Sequence, residues 1–112
     1  MNDESILDSI KKMLGIVSSC TDFDQTIINH INSAFMALSQ LGVGPDNGYR
    51  IRNNSNTWNE YYNDAENIDS VKEYIYLKVK MVFDPPINGS IIESYKETIR
   101  ELEWRLMIQK EE

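Results

Sequence analysis

IDSVKEYIYLKVKMVF (residues 68–83), DPPING (84–89) and SIIESYKETIRELEWRL (90–106) together decide the fold of this chain. In the third segment Ile92, Tyr95, Ile99, Leu102 and Leu106 recur at steps of three and four, which sets them in one stripe along a helix with charges opposite. The first segment carries two stripes, Ile68–Val71–Ile75–Val79–Val82 and Tyr74–Leu77–Met81, so a helix over 68–83 is apolar on two sides and belongs at the centre, the most buried of all. Between them, Pro85-Pro86 removes two backbone donors and steers Asp84 away from helical geometry. Ser90 followed by Glu93 fits a capping box for the next helix. So short a connection predicts an antiparallel helical hairpin.

Upstream, residues 4–14 form a short amphipathic pattern with Ile6, Ile10 and Met13 or Leu14 on one side. Asp3, Glu4 and Asp8 lie near its start and Lys11-Lys12 near its end, where each sign suits the helix dipole; Gly15 stops it. Asp22 or Asp24 caps a second helix that runs through Ile28, Ile31, Phe35 and Leu38 to Gly42. His30 sits beside that stripe with nothing near it in sequence to orient it as a base, so it is expected to be a structural or surface residue. The loop GVGPDNGYRIRNNSN (42–56) is long for a compact domain. Within it Tyr49-Arg50-Ile51-Arg52 alternates apolar with basic, as an extended segment or a short strand pair would. It either tucks Tyr49 and Ile51 onto its own core or serves as an arm that reaches a neighbouring chain; in the second case deleting 46–55 leaves the helices intact. Thr57-Trp58-Asn59-Glu60 is a second capping box, opening a helical turn that carries Trp58 and Tyr61, and 63–67 is a polar spacer. The expected fold is therefore all-α: a small bundle of about five helices, at about 4–14, 24–41, 57–62, 68–83 and 90–110, in a single domain over 1–112.

Totals narrow the function. A chain of 112 residues can bury a core without disulfides or metals, and Cys20 has no second cysteine to pair with. No apolar run spans a bilayer, and the acidic opening MNDESILDSI is unlike a signal peptide, so a soluble intracellular product is expected. The net charge of −7 is spread: −4 over residues 1–47, −1 over 48–67, zero over 68–89 and −2 over 90–112. No basic face emerges for gripping nucleic acid. One histidine and one cysteine cannot build the usual zinc site, and GVGPDNG lacks the lysine of a phosphate-binding loop. Glu93, Glu97, Glu101 and Glu103 alternate with Lys96, Arg100 and Arg105 as a solvated face does. No catalytic residue, metal or cofactor is expected. Trp104 and Ile108 lie off the main stripe of the last helix, and the 49–58 segment is apolar within polar surroundings. Tyr49, Ile51, Trp58, Trp104 and Ile108 are thus the candidate subunit-interface residues of an assembly protein.

Several segments, in order and over nearly the whole chain, carry a resemblance: ILDSIKKMLG (6–15), DFDQTIINHINSAFMALSQLGVGP (22–45), Thr57-Trp58, VKEYIYLKVKMVFDPP (71–86) and ELEWRL (101–106). As an ensemble they resemble the small head–tail connector (adaptor) proteins of long-tailed bacteriophages and prophages, also known as DNA-packaging proteins. The resemblance implies an all-helical subunit of a ring, dodecameric to match the portal, that lies beneath the portal at the capsid vertex. Such a ring extends the DNA channel and meets the next connector or tail component. Its place is the host cytoplasm during assembly and then the head–tail junction of the virion. DNA passes through it without tight binding, which suits an acidic subunit. The alternative is a small helical phage-encoded regulator that binds a host protein. A DNA-reading version fits poorly, because the candidate helices 24–41 and 90–110 are acidic or balanced.

Overall fold

The structure is a computed structural model describing residues 4–45, 47–61 and 65–111. Its helices are α1 (Ile6–Leu14), α2 (Asp24–Gln40), α3 (Trp58–Tyr61), α4 (Ala65–Phe83) and α5 (Gly89–Glu111), and no strand occurs among the described residues. The all-α expectation holds. Residue 62, part of the polar spacer 63–67, and Asp3 lie outside the described residues.

α4 is central because both of its stripes find neighbours: it packs against α1, α2 and α5. Ile68, Val71, Tyr74, Ile75, Leu77 and Val79 are all buried, and they join the buried faces of α1 (Ile6, Leu7, Ile10) and α2 (Ile27, Ile28, Ile31, Ala34, Phe35, Leu38) in one cluster. The last turn departs from the expected stripes, since Met81 is only half-buried and Val82 is exposed. α5 packs chiefly on α4, through Leu102 and Leu106; Ile92, Tyr95 and Ile99 nearer the elbow are half-covered. The result is a slab of 39 × 35 × 22 Å.

Helix ends follow local chemistry. Ser5 caps α1 by accepting from the Asp8 amide at 3.2 Å. Gly15 (φ 84°) and Gly42 (φ 83°) both adopt the left-handed conformation that ends a helix without a Cβ penalty. In each case the next amide, Ile16 or Val43, reaches back to the helix, bonding Lys11 O at 2.8 Å or Leu38 O at 2.9 Å. Two expected caps are corrected. α5 is capped by Asn88, whose Oδ1 accepts from the amides of Ser90 (2.7 Å) and Ile91 (3.3 Å), so Ser90 is already helical. An asparagine there caps as well as a serine, and it lies nearer the proline elbow. Neither Asp22 nor Asp24 caps α2, which starts after Phe23 with no side-chain cap; Asp24 is engaged elsewhere.

A part-buried polar contact ties the hairpin. Tyr74 donates its hydroxyl to Glu103 Oε2 at 2.8 Å. Burial first, then the hydrogen bond and charge of Glu103, push the Tyr74 phenol well above its ordinary value of 10.0. The fold thus favours the neutral phenol. Its contribution is fully present below pH 10 and is lost as the pH rises further, because the unfolded chain ionises there while the folded one does so only at higher pH. Stability from urea titrations should therefore fall as the pH rises above 10. The Tyr74→Phe variant should fall less steeply over the same range; an equal slope in the two proteins would remove Tyr74 as the cause.

Candidate assembly surfaces

Residues 42–56 do not stand away from the body. Asn32 on α2 grips Ile51 on both sides: the Ile51 amide donates to Asn32 Oδ1 at 2.7 Å, and Asn32 Nδ2 donates to the Ile51 carbonyl at 3.0 Å. A carboxamide presents an N–H donor and a carbonyl acceptor side by side, so it satisfies a backbone residue as a neighbouring strand would. The alternation in Tyr49–Arg52 is real, with Ile51 buried and Arg50 and Arg52 exposed, but its partner is a side chain rather than a strand. Asn56 Oδ1 accepts from the Arg52 amide at 2.8 Å and closes the following turn.

The segment is then stitched to the N-terminal end. Ser5 and Thr57 form an isolated antiparallel bridge, with Ile6 N to Asn56 O at 3.0 Å and Trp58 N to Glu4 O at 3.2 Å. The Thr57–Glu60 capping box forms as expected: the Thr57 amide meets Glu60 Oε1 at 3.1 Å and the Glu60 amide meets Thr57 Oγ1 at 3.3 Å. It delivers Trp58 into the core at 0% exposure, where the indole N–H donates to Ser9 Oγ at 2.8 Å and Lys72 Nζ lies 5.4 Å from the ring centroid. Tyr49 is half-buried, edge-on to Phe35 (5.2 Å) and Tyr61 (5.3 Å). Partial burial, followed by the neighbouring Glu60 carboxylate, raises its phenol above the ordinary value. Gly44 must be glycine twice over, with φ at 96° and a Cβ there falling 2.7 Å from the Tyr61 hydroxyl.

Lys11 organises the opposite end. It is 1% exposed, and its ammonium meets Ser18 O at 3.1 Å, Cys20 O at 2.7 Å and Asp24 Oδ1 at 2.7 Å. Three donors meet three acceptors, so the charge is buried fully partnered. The grip fixes the loop between α1 and α2 and with it Val17 and Phe23, both exposed. Phe23 stands edge-on to Phe83 at 5.5 Å, beside the elbow, where Val82, Ile87 and Ile91 are also exposed. One end of the slab therefore carries an apolar surface that a lone subunit leaves in water.

A third surface is the outward side of α5. Trp104, 60% exposed, lies on the side opposite Leu102 and Leu106 with Glu93, Glu97, Arg100 and Glu101, and Ile108 is half-buried further along. Of the five expected interface residues, the structure leaves Trp104 open and Tyr49 and Ile108 partly so. It places Ile51 and Trp58 inside this subunit's own core, because Asn32 and the capping box pull the chain inward. The tucked alternative, not the free arm, describes 49–58. Lys11, Asn32 and the apolar elbow end went unrecognised in the sequence. The spacing of Phe23, Val82, Ile87 and Ile91 follows no single helix, so periodicity could not have gathered them. His30 is half-buried beside the α2 stripe.

A small helical slab with several separate exposed surfaces has the features of an assembly subunit. The profile of the phage connector protein family matches residues 6–112, and the chain belongs to that family. No curated protein and no solved structure matches it. Its role is thus that of a structural connector in phage particles. Among the described residues no helix is long and apolar enough to cross a membrane.

Proposed function

We propose that the chain acts as a single head–tail connector domain over 1–112. It forms a ring beneath the portal that extends the DNA channel and joins capsid to tail. The observation that carries this reading is the family match over residues 6–112. Supporting it, the exposed surfaces are distinct from one another: a ring built head-to-tail needs two different complementary patches, and axial partners need more. The portal is the partner on one side and the next connector or tail component on the other. By resemblance the ring is dodecameric. Trp104 and Ile108 contribute directly to subunit contacts, Tyr49 at their margin, and Ile51 and Trp58 from within, by holding the 49–52 segment in shape. Subunits gather in the host cytoplasm and end in the virion. DNA passes through without tight binding, since a −7 subunit releases few counterions.

The test is retention of the chain on the assembled portal protein of the same phage or prophage, with titration against duplex DNA at two salt concentrations. Retention on the portal, with DNA binding weaker than about 10⁻⁶ M, is expected. Indifference to the portal would favour a regulator that binds a host protein. Sequence-selective DNA binding near 10⁻⁸ M would overturn the connector reading.

A further inference from the structure

We propose that Arg50 and Arg52 of one subunit dock on the outward face of α5 in a second copy, against Glu93, Glu97 and Trp104. This inference rests on the ring reading and specifies its subunit contact.

The arginines are singular in this chain. They are the only lysine or arginine residues between Lys12 and Lys72. Both are exposed, and among the described residues neither makes an ion pair. They are also held in place. Ile51 between them is buried and gripped by Asn32, so alternation turns both guanidinium groups outward on the same side. Asn56 fixes the Arg52 amide. Less conformational freedom is then lost when they bind.

The receiving face is matched in charge, spacing and chemistry. Residues two apart on a strand-like segment are about 6.6 Å apart. Glu93 and Glu97, one helical turn apart, are separated by about 6 Å along α5. Beside them Gly89, Ser90, Ser94 and Thr98 line a shallow groove of about 650 Å³, so small side chains allow a close approach. Glu93 makes no ion pair among the described residues, and Glu97 has only the exposed Arg100, a pair worth little in water. Trp104 lies further along the same side and offers an indole face to a guanidinium, the aromatic partner cations prefer.

The two surfaces cannot meet within one subunit. The arginine segment is fastened to α2, whereas α5 packs chiefly on α4, which stands between. Each copy therefore offers a donor face and a different acceptor face, the arrangement that propagates head-to-tail. Duplex DNA is the weaker occupant. Two arginines on an acidic chain neutralise too few phosphates, and a carboxylate pair of matching spacing is already present in every copy.

A charge-swap experiment decides the matter. Two variants of the full chain, Arg50→Glu/Arg52→Glu and Glu93→Arg/Glu97→Arg, change only exposed positions, and circular dichroism checks their folding. Self-association is followed by sedimentation up to about millimolar concentration, where contacts of only about 4 kcal/mol are populated. Each variant alone should associate at least about tenfold more weakly than the wild type. An equimolar mixture should recover association, because its contacts alternate between the natural charge pairing and the swapped one. A wild type that associates while both variants associate equally well would overturn the contact and leave the ring standing. Loss in the variants without recovery in the mixture would also overturn it. A wild type that stays monomeric throughout would overturn the contact and self-assembly together. Duplex DNA binding that only the arginine variant loses would assign the pair to phosphate instead.

Discussion

Replacing Trp58 by alanine is expected to destabilise the chain by about 4 kcal/mol, the range for emptying a buried aromatic site. That is a large share of the ~5–15 kcal/mol that holds a domain of this size together. Applied to 112 residues, it lowers the melting temperature by roughly 15 °C. The cost exceeds the lost volume alone because Trp58 joins three parts of the molecule: Ser9 on α1 through its indole N–H, Phe35 on α2 at 6.5 Å, and Lys72 on α4 across its face. Trp58→Phe should cost less but still leave the Ser9 hydroxyl without its donor. Melting followed by circular dichroism at 222 nm measures both. A loss below about 1 kcal/mol in the alanine variant would mean that the site collapses without a cavity. By the same logic, deleting 46–55 removes Ile51 from the core and strands Asn32, so the deletion is expected to destabilise the helices rather than spare them.

Replacing Lys11 by methionine is expected to cost about 3 kcal/mol. Methionine keeps a buried apolar stem of similar length, so the loss isolates the ammonium. Without it two backbone carbonyls, Ser18 and Cys20, lose their donor and Asp24 loses its cation. Asp24 retains some access to water, which keeps the cost below the ~5 kcal/mol seen when a fully buried charge is abandoned. Arginine should not rescue, because its planar fork cannot reach three acceptors arranged around a compact ammonium. The double variant Lys11→Met/Asp24→Asn should recover part of the loss, since it removes the abandoned charge as well. Chemical denaturation of the single and double variants reads this directly. A double variant as unstable as the sum of its parts would show that the ion pair contributes nothing beyond the two carbonyl contacts.

The helices were legible because their apolar residues repeat at helical spacing, and the elbow because two prolines interrupt it. The Thr57–Glu60 box and the stops at Gly15 and Gly42 were legible for the same reason: each is a local interaction written within a few residues. What was hidden is non-local. Lys11 has the composition of a surface residue, and only the return of the chain at Ser18 to Asp24 makes its burial possible. Asn32 lies 19 residues from Ile51, a separation at which no spacing rule operates. The candidate site divides the same way. Trp104 stood out because it leaves its stripe, and it is exposed. Trp58 and Ile51 were readable as apolar, but apolarity says that a side chain will be covered, not which chain covers it. Ser90 and Asn88 are both good caps two residues apart, and the chain uses the earlier one.

The Asn32 carboxamide has a further consequence. An unpaired extended segment is a template on which any passing chain can add a strand, the route by which concentrated proteins form fibres. At Ile51 both backbone groups are already occupied. A neighbour can approach there only through side chains, whose contacts depend on a match of shape and charge rather than on the generic backbone. The Ile51 backbone is thereby closed to strand addition, and only its side-chain surroundings are open to a neighbour.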